Sequence, residues 1–402
     1  MAKKRYIRKR YNFFNKLLKL LLLIPFKYKY KIKYDKVKDD KKRAYLVLFN
    51  HQTADDQFFV TMMFHKHVFF VASEDIFSNG FISKLLRFVF GPIPFKKSTS
   101  DIHAVRECMY VAKEGGTIAI SPEGNRTYSG ETGYIKPAIS KFAKALKLPI
   151  MIVNIKGGYG VRPRFSNKIR RGPVKCNIKR IIETDEYLKM SDDELLELIR
   201  NELYVDESYS EIEYKSKHHA EYLERVIYVC PKCGLSEFAS HGDNFKCLQC
   251  GYSVNYNGHN TFNEESQFRS VKDWYRYQEE YISSIDIDKL SEEEVIYKDN
   301  ILLQEVIIYK RKKRISKNTK LALFKNRVEL KYNNSNHIFL FDDISAVSVL
   351  GRNKCNIYYQ DKLYQVKGNK RFNPVKYMNF YYHYKNKKEG IENVNRREFL
   401  GL

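Results

Sequence analysis

Long apolar runs are missing from this 402-residue chain. The longest, Leu17 to Ile24, is broken by Lys19 and stopped by Pro25, whereas a bilayer span needs about 20 apolar residues. No membrane-crossing helix is expected. Nor does the basic start read as a signal peptide, because the run is short and no small-residue cleavage site follows it. Internal repeats are also lacking, which leaves out solenoid architectures. Acidic residues are scarce, with 47 Asp and Glu against 72 Lys and Arg and a net charge of +25. The remaining composition, 43% hydrophobic and 30% charged, is that of a folded protein and not of a disordered tail. The length suits two or three domains.

The placement of the charge says more than its size. Residues 1–50 hold seventeen Lys/Arg against three Asp, and residues 301–402 hold twenty-two against eight Asp/Glu. Each flank carries +14, which leaves 51–300 at −3. A nucleic-acid groove concentrates charge on its working face, so nucleic acid is not expected as a partner. Two basic flanks suit a body held against an anionic membrane surface, where each cation adds ~1 kcal/mol. Phe13, Phe14, Leu17, Leu18, Leu21 and Leu22 recur at helical spacing in 1–40 and predict an interfacial helix. The expected location is the cytoplasmic face of a membrane, peripheral or monotopic.

From residue 41 the pattern alternates apolar strands (Tyr45–Phe49, Val68–Ala72, Thr117–Ser121, Ile150–Ile155, Val174–Ile182) with amphipathic helices. This predicts an α/β layer fold over 41–205 with a mixed sheet. Ser191-Asp-Asp-Glu194 is a capping box that opens a helix to about Leu203. Residues 206–227 read as a charged helical connector, 228–262 as a cysteine module and 263–295 as a helical linker containing Trp274. Over 296–402 seven short strands precede a final helix.

Asn50-His51-Gln-Thr-Ala-Asp55-Asp56 lies where a strand gives way to a helix. A carboxylate one turn beyond a histidine can bond the ring, fix its tautomer and stabilise its charged form. With no Ser or Cys nucleophile nearby, that pair suggests general-base activation of a substrate hydroxyl. Asp55 is a decoy for Asp56, which the spacing favours. A second cluster, Ser121-Pro-Glu123-Gly124-Asn125-Arg126-Thr127, follows another strand. Its glycine permits close backbone approach, and its arginine offers a planar fork for phosphate. Between the clusters, Gly91-Pro-Ile-Pro-Phe-Lys96-Lys97 is a tight cationic turn, and Leu148-Pro149-Ile150 opens the next strand.

These four blocks, in this order, resemble the glycerolipid acyltransferases, which include the lysophosphatidate acyltransferases, over roughly 40–185. The resemblance implies a glycerol-3-phosphate acyltransferase-like fold, His51 as base and Asp56 as its partner. It further implies substrate binding by Lys97, Glu123, Gly124 and Arg126. The acceptor would be a lysophospholipid such as 1-acyl-glycerol-3-phosphate, and the donor acyl-CoA or acyl carrier protein. Ser121, Asn125 and Lys97 stand where the family usually has Phe, Thr and Arg. Lysine keeps the charge but loses the bidentate geometry. A different lipid acceptor, or a non-enzymatic lipid- or nucleic-acid-binding protein, are the alternatives.

Cys230-Pro-Lys-Cys233 and Cys247-Leu-Gln-Cys250 are spaced for a zinc ribbon with a closed, structural four-thiolate site. Disulfides are the weaker reading, since nothing indicates secretion. Residues 296–402 resemble, by element order alone, pleckstrin-homology or GRAM-like domains.

Overall fold

The computed structural model describes residues 6–95, 102–307 and 310–390. It divides into two compact units, one built from residues up to Pro163 with Arg170–Lys215, the other from Arg164–Ile169 and the chain after Ser216.

In the first unit, strands β1 (Lys33–Tyr34), β2 (Leu46–Phe49), β3 (Val68–Ser73), β4 (Ile93–Phe95), β5 (Thr117–Ile120), β6 (Ile150–Lys156) and β7 (Lys175–Ile182) form one sheet. Their order is β1-β7-β6-β2-β5-β3-β4. All neighbours run parallel except the antiparallel pair β6 and β7. The central strands are apolar at every position because helices cover both faces. Leu46 and Leu48 join one core, and Tyr45, Val47 and Phe49 join the other. Helices α1 (Lys9–Tyr30), α2 (Asp56–Met63), α3 (Phe81–Phe90), α4 (Ile102–Lys113) and α5 (Ala138–Leu146) follow, with short turns α6 (Gly158–Val161) and α7 (Thr184–Tyr187) before α8 (Asp192–Leu203). Helix α8 starts as expected, with both capping-box bonds of Ser191 and Glu194 formed.

Two expectations need correction, and the first helix runs through Pro25 to Tyr30. A proline removes one backbone donor, and burial of Phe26 and Tyr30 in the core carries the helix past it. The exposed apolar stripe of α1 is also rotated from the expected one. Phe13, Leu17, Leu20, Leu21, Ile24 and Tyr28 face outward, while Phe14, Leu18 and Leu22 are half-buried. Finally, 204–222 is an irregular strap and not a helical connector. Its backbone is spent on loops: Thr132 N–H donates to Val205, Glu207 N–H to Gly130, and Lys215 exchanges bonds with Arg171. Tyr214 of this strap fills the space beside Gly157, Gly160 and Gly172, where a Cβ on Gly160 would lie 2.1 Å from the ring.

The second unit contains short ribbon strands β8 (Val229–Cys230), β9 (Gly234–Leu235), β10 (Phe238–His241), β11 (Asn244–Cys247) and β12 (Ser253–Asn255), then helix α9 (Val271–Ser284). The lone tryptophan, Trp274 on α9, is fully buried among Phe238, Phe245, Phe262 and Phe268. Its indole N–H donates to the Val229 carbonyl at 2.8 Å. Strands β13 (Tyr297–Glu305), β14 (Lys313–Leu323), β15 (Arg327–Tyr332), β16 (Ser335–Leu340), β17 (Ile344–Leu350), β18 (Lys354–Tyr359) and β19 (Lys362–Lys367) make a second, wholly antiparallel sheet. Its order is β16-β15-β14-β13-β19-β18-β17, and helix α10 (Val375–Lys388) follows it. The seven-strand, one-helix order read from sequence is present.

Candidate active site and cysteine centre

The register of the central strands brings the two sequence clusters together. Leu46 pairs with Ile118 and Leu48 with Ile120, and the same offset carried past the strand ends sets His51 against Glu123. The His51 N–H donates to Glu123 Oε1 at 2.6 Å, and the Thr127 N–H donates to the His51 carbonyl at 2.9 Å. Asn50 ties the same end of β2 to β6 through two bonds with the Ile155 backbone, at 2.9 and 2.7 Å. Both clusters therefore sit at the carboxyl ends of adjacent parallel strands, where α/β sheets place their sites.

Asp56 opens α2 and is fully buried. Its carboxylate accepts from the Gln52 N–H at 2.7 Å, the Thr53 N–H at 2.9 Å and the Thr53 hydroxyl at 2.7 Å. It meets His51 Nδ1 at 2.8 Å, and the histidine side chain keeps 24% of its surface exposed. A buried carboxylate with several donors has a settled orientation, and it in turn holds the imidazole with Nδ1 inward. Asp55 turns elsewhere, to Lys29 at 3.2 Å, Arg162 at 2.6 Å and the Tyr30 hydroxyl. Burial would raise its carboxyl, but the Tyr30 bond and the two cations outweigh that and hold it below the ordinary range.

Glu123 is buried and also accepts from the Gly133 N–H at 2.6 Å. Burial pushes its carboxyl up to about 8, against the two N–H donors that favour the charged form. Gly124 has a φ of +66°, open to glycine at little cost. Arg126 is half-buried on the same loop. Lys97 lies outside the described residues.

Some residues that shape this site carry no motif. Gln52 Oε1 accepts from the Tyr159 N–H at 3.1 Å, and the half-buried Glu207 accepts from Gly157 N–H. Burial raises the Glu207 carboxyl to about 7. Together with Arg162 on Asp55, these fasten the loop after β6 to the His51 loop. Only the glycine-rich Gly157-Gly158-Tyr-Gly160 hinted at such a close approach.

Residues 30–156 match the acyltransferase family model. Over those residues the chain is similar to that family. No curated protein matches the sequence. Among solved structures, the 1-acyl-sn-glycerophosphate acyltransferase PlsC from Thermotoga maritima is similar at 20% identity. That match covers 46% of this chain and 75% of the other, with a TM-score of 0.40. The matched residues 30–156 include His51, Asp56, Glu123 and Arg126.

In the second unit, the thiols of Cys230, Cys233, Cys247 and Cys250 all lie within 4.8 Å of one another. Cys230 and Cys250 are 3.6 Å apart, and Cys233 and Cys247 are 3.7 Å apart. A tetrahedron with Zn–S bonds of about 2.3 Å has S–S edges of about 3.8 Å, so the donor set fits zinc. Disulfide bonding would need about 2.05 Å. Gly234 and Gly251, with φ of +80° and +77°, make the turns after each cysteine pair. Four thiolates would fill the coordination sphere and leave a structural role. Cys108, Cys176 and Cys355 are buried and outside this cluster.

Two expected outcomes follow from this geometry. Glu123 binds its proton more tightly in the folded chain than unfolded, where its value is near the ordinary 4.5. Its contribution is complete below that value and is lost as pH rises through about 8. Urea unfolding across this range should show declining stability, and Glu123→Gln should flatten the decline; an equal slope in both proteins contradicts the assignment. Cys247→Ser should reduce bound zinc and lower the melting temperature, read by metal analysis and calorimetry. Full zinc retention at unchanged melting temperature would remove the ribbon.

Proposed function

We propose that this protein is an O-acyltransferase that moves an acyl chain from a thioester to the hydroxyl of a lysophospholipid. The observation that carries this reading is the His51–Asp56 pair, held by backbone donors beside the Glu123–Arg126 loop. Asp56 fixes the ring with Nδ1 as its partner atom, so Nε2 is the nitrogen that takes the proton from the acceptor hydroxyl. The resulting alkoxide attacks the thioester carbonyl, and collapse of the tetrahedral intermediate expels the thiolate, which receives the proton from His51. No acyl-enzyme is required. Asp56 stabilises the imidazolium that exists between the two proton transfers. Arg126, with Lys97 as implied by the motif order, would bind the acceptor's phosphate. The donor is acyl-CoA or acyl carrier protein, and either would be drawn by a basic chain.

A membrane surface is the setting that best accounts for α1 and α3. Leu20, Leu21 and Ile24 are 67%, 63% and 78% exposed, and Phe81 and Ile82 on α3 are 78% and 60% exposed. Phe14 packs edge-on against Phe88 at 6.0 Å, which joins the two helices. Among the described residues no helix is long and apolar enough to cross a membrane. Such a face, bordered by Lys16, Lys27 and Lys84, suits burial at the headgroup boundary of an anionic leaflet.

Purified protein given a labelled acyl-CoA or acyl carrier protein and a panel of lysolipids should form product with at least one acceptor. His51→Ala should lower turnover by roughly 10²–10⁴-fold while the chain stays folded. Near-normal turnover in a well-folded variant would sink the mechanism. Leu20→Asp with Ile24→Asp should reduce sedimentation with anionic vesicles, and unchanged sedimentation would remove the membrane role of α1.

A further inference from the structure

We propose that Asp55 is a positioning residue for acyl transfer, which holds the His51–Asp56 pair against the last turn of α1 and the loop after β6; the inference rests on the acyl-transfer reading above. Three groups converge on one oxygen of its carboxylate. Asp55 Oδ2 accepts from Lys29 Nζ at 3.2 Å, from Arg162 Nη1 at 2.6 Å and from the Tyr30 hydroxyl. The side chain is 14% exposed. Asp55 also stands at the N-cap of α2, yet makes no side-chain cap bond there. An aspartate at that position ordinarily spends its carboxylate on the first backbone donors of the helix. Here the carboxylate is given to partners 25 or more positions away in sequence.

The path from Asp55 to the reacting pair is short. Its N–H donates to the Thr53 hydroxyl at 2.9 Å, and that hydroxyl donates to Asp56 Oδ1 at 2.7 Å. Asp56 Oδ2 then meets His51 Nδ1 at 2.8 Å. Residues 51–55 lie in neither helix nor strand, so the seat of the first turn of α2 decides where both side chains stand.

Helix α1 grips α2 at its far end as well. Lys19 Nζ donates to the carbonyl of Phe64, the C-cap of α2, and Asn15 Nδ2 donates to the Lys66 carbonyl at 3.1 Å. Lys19 and Tyr30 are separated by about 16 Å of helix rise, enough to span the eight residues of α2. Tyr30 is fully buried and packs edge-on against Phe59 of α2 at 5.0 Å and Phe26 at 5.3 Å. A ring fixed in the core, with its hydroxyl on Asp55, is a stop for the start of α2. Arg162, the C-cap of α6, ties the same oxygen to the loop after β6. Without Asp55, Lys29 and Arg162 would repel each other and the Tyr30 hydroxyl would lose its acceptor. General-base transfer needs the ring nitrogen within hydrogen-bond reach of the acceptor hydroxyl. A misplacement of about 1 Å from a change outside the chemistry costs roughly 10²-fold.

The test measures kcat and acceptor KM for the full chain, with labelled acyl-CoA or acyl carrier protein and the lysolipid of the panel above that gives most product. Melting temperature and circular dichroism check folding. Asp55→Ala, Asp55→Asn and Arg162→Met are compared with the wild type and with Arg43→Met. That control loses an equally short ion pair, to Glu183 at 2.6 Å, in the same unit. Asp55→Ala should lower kcat about 10–100-fold, the cost of a misplaced base, with KM within about twofold. Asp55→Asn, which keeps an oxygen for Tyr30 and Arg162, should recover most of that loss. Arg162→Met should lower kcat by a smaller factor, and it decides the matter if Asp55→Ala does not fold. Arg43→Met should turn over like wild type even where it melts earlier. Wild-type kcat in folded Asp55→Ala and Arg162→Met, a loss in KM alone, a loss in Asp55→Asn as deep as in Asp55→Ala, or an equal loss in Arg43→Met overturns the positioning role. A wild type that acylates no lysolipid, or full turnover by His51→Ala, refutes the acyl-transfer reading itself and the role of Asp55 with it.

Discussion

The parallel pairing of β2 with β5 is the constraint on which the site depends. It brings two loops that are distant in sequence to one edge of the sheet, and the offset of the pairing decides which backbone N–H meets Glu123. A slip of one residue would turn the buried positions of β2 to the wrong core. The apolar side chains on both faces therefore hold the register, and the register places His51.

Around that edge, each acidic side chain has a separate task. Asp56 gathers the Gln52 and Thr53 donors and holds the imidazole. Asp55, its neighbour, anchors the end of α1 and the loop after β6. Glu123 and Glu207 satisfy backbone N–H groups of loops with no regular partners of their own. Buried backbone donors must be satisfied, and carboxylates do so in a site whose loops must stay open to a ligand. The raised values of Glu123 and Glu207 are the electrostatic consequence of burying those groups.

The second unit uses other means for a similar end. A ribbon this small cannot bury much apolar surface, so the Trp274 cluster and the four-thiol centre supply its core. In the antiparallel sheet that follows, the pairing slips between β13 and β14 and again between β17 and β18.

The elements were largely legible in sequence because their patterns are local. Alternating apolar runs marked the strands, the Ser191 capping box marked α8, and paired Cys-x-x-Cys turns marked the four-thiol cluster. His51 and Asp56 were legible for the same reason, since they lie five residues apart in one stretch of chain. The strap over 204–222 was misread because its charged residues mimic a solvated helix, while its structure comes from bonds to Gly130, Thr132 and Arg171. The continuation of α1 through Pro25 was not legible, because packing of Phe26 and Tyr30 outweighs a local breaker. Thus the residues of the site, a histidine with its carboxylate and an arginine-bearing loop, were written in short spacings. Which groups hold those residues in place was settled only by tertiary structure. Tyr30, Gln52, Arg162 and Glu207 act across long stretches of chain, and no local pattern encodes a partner that folding alone brings near.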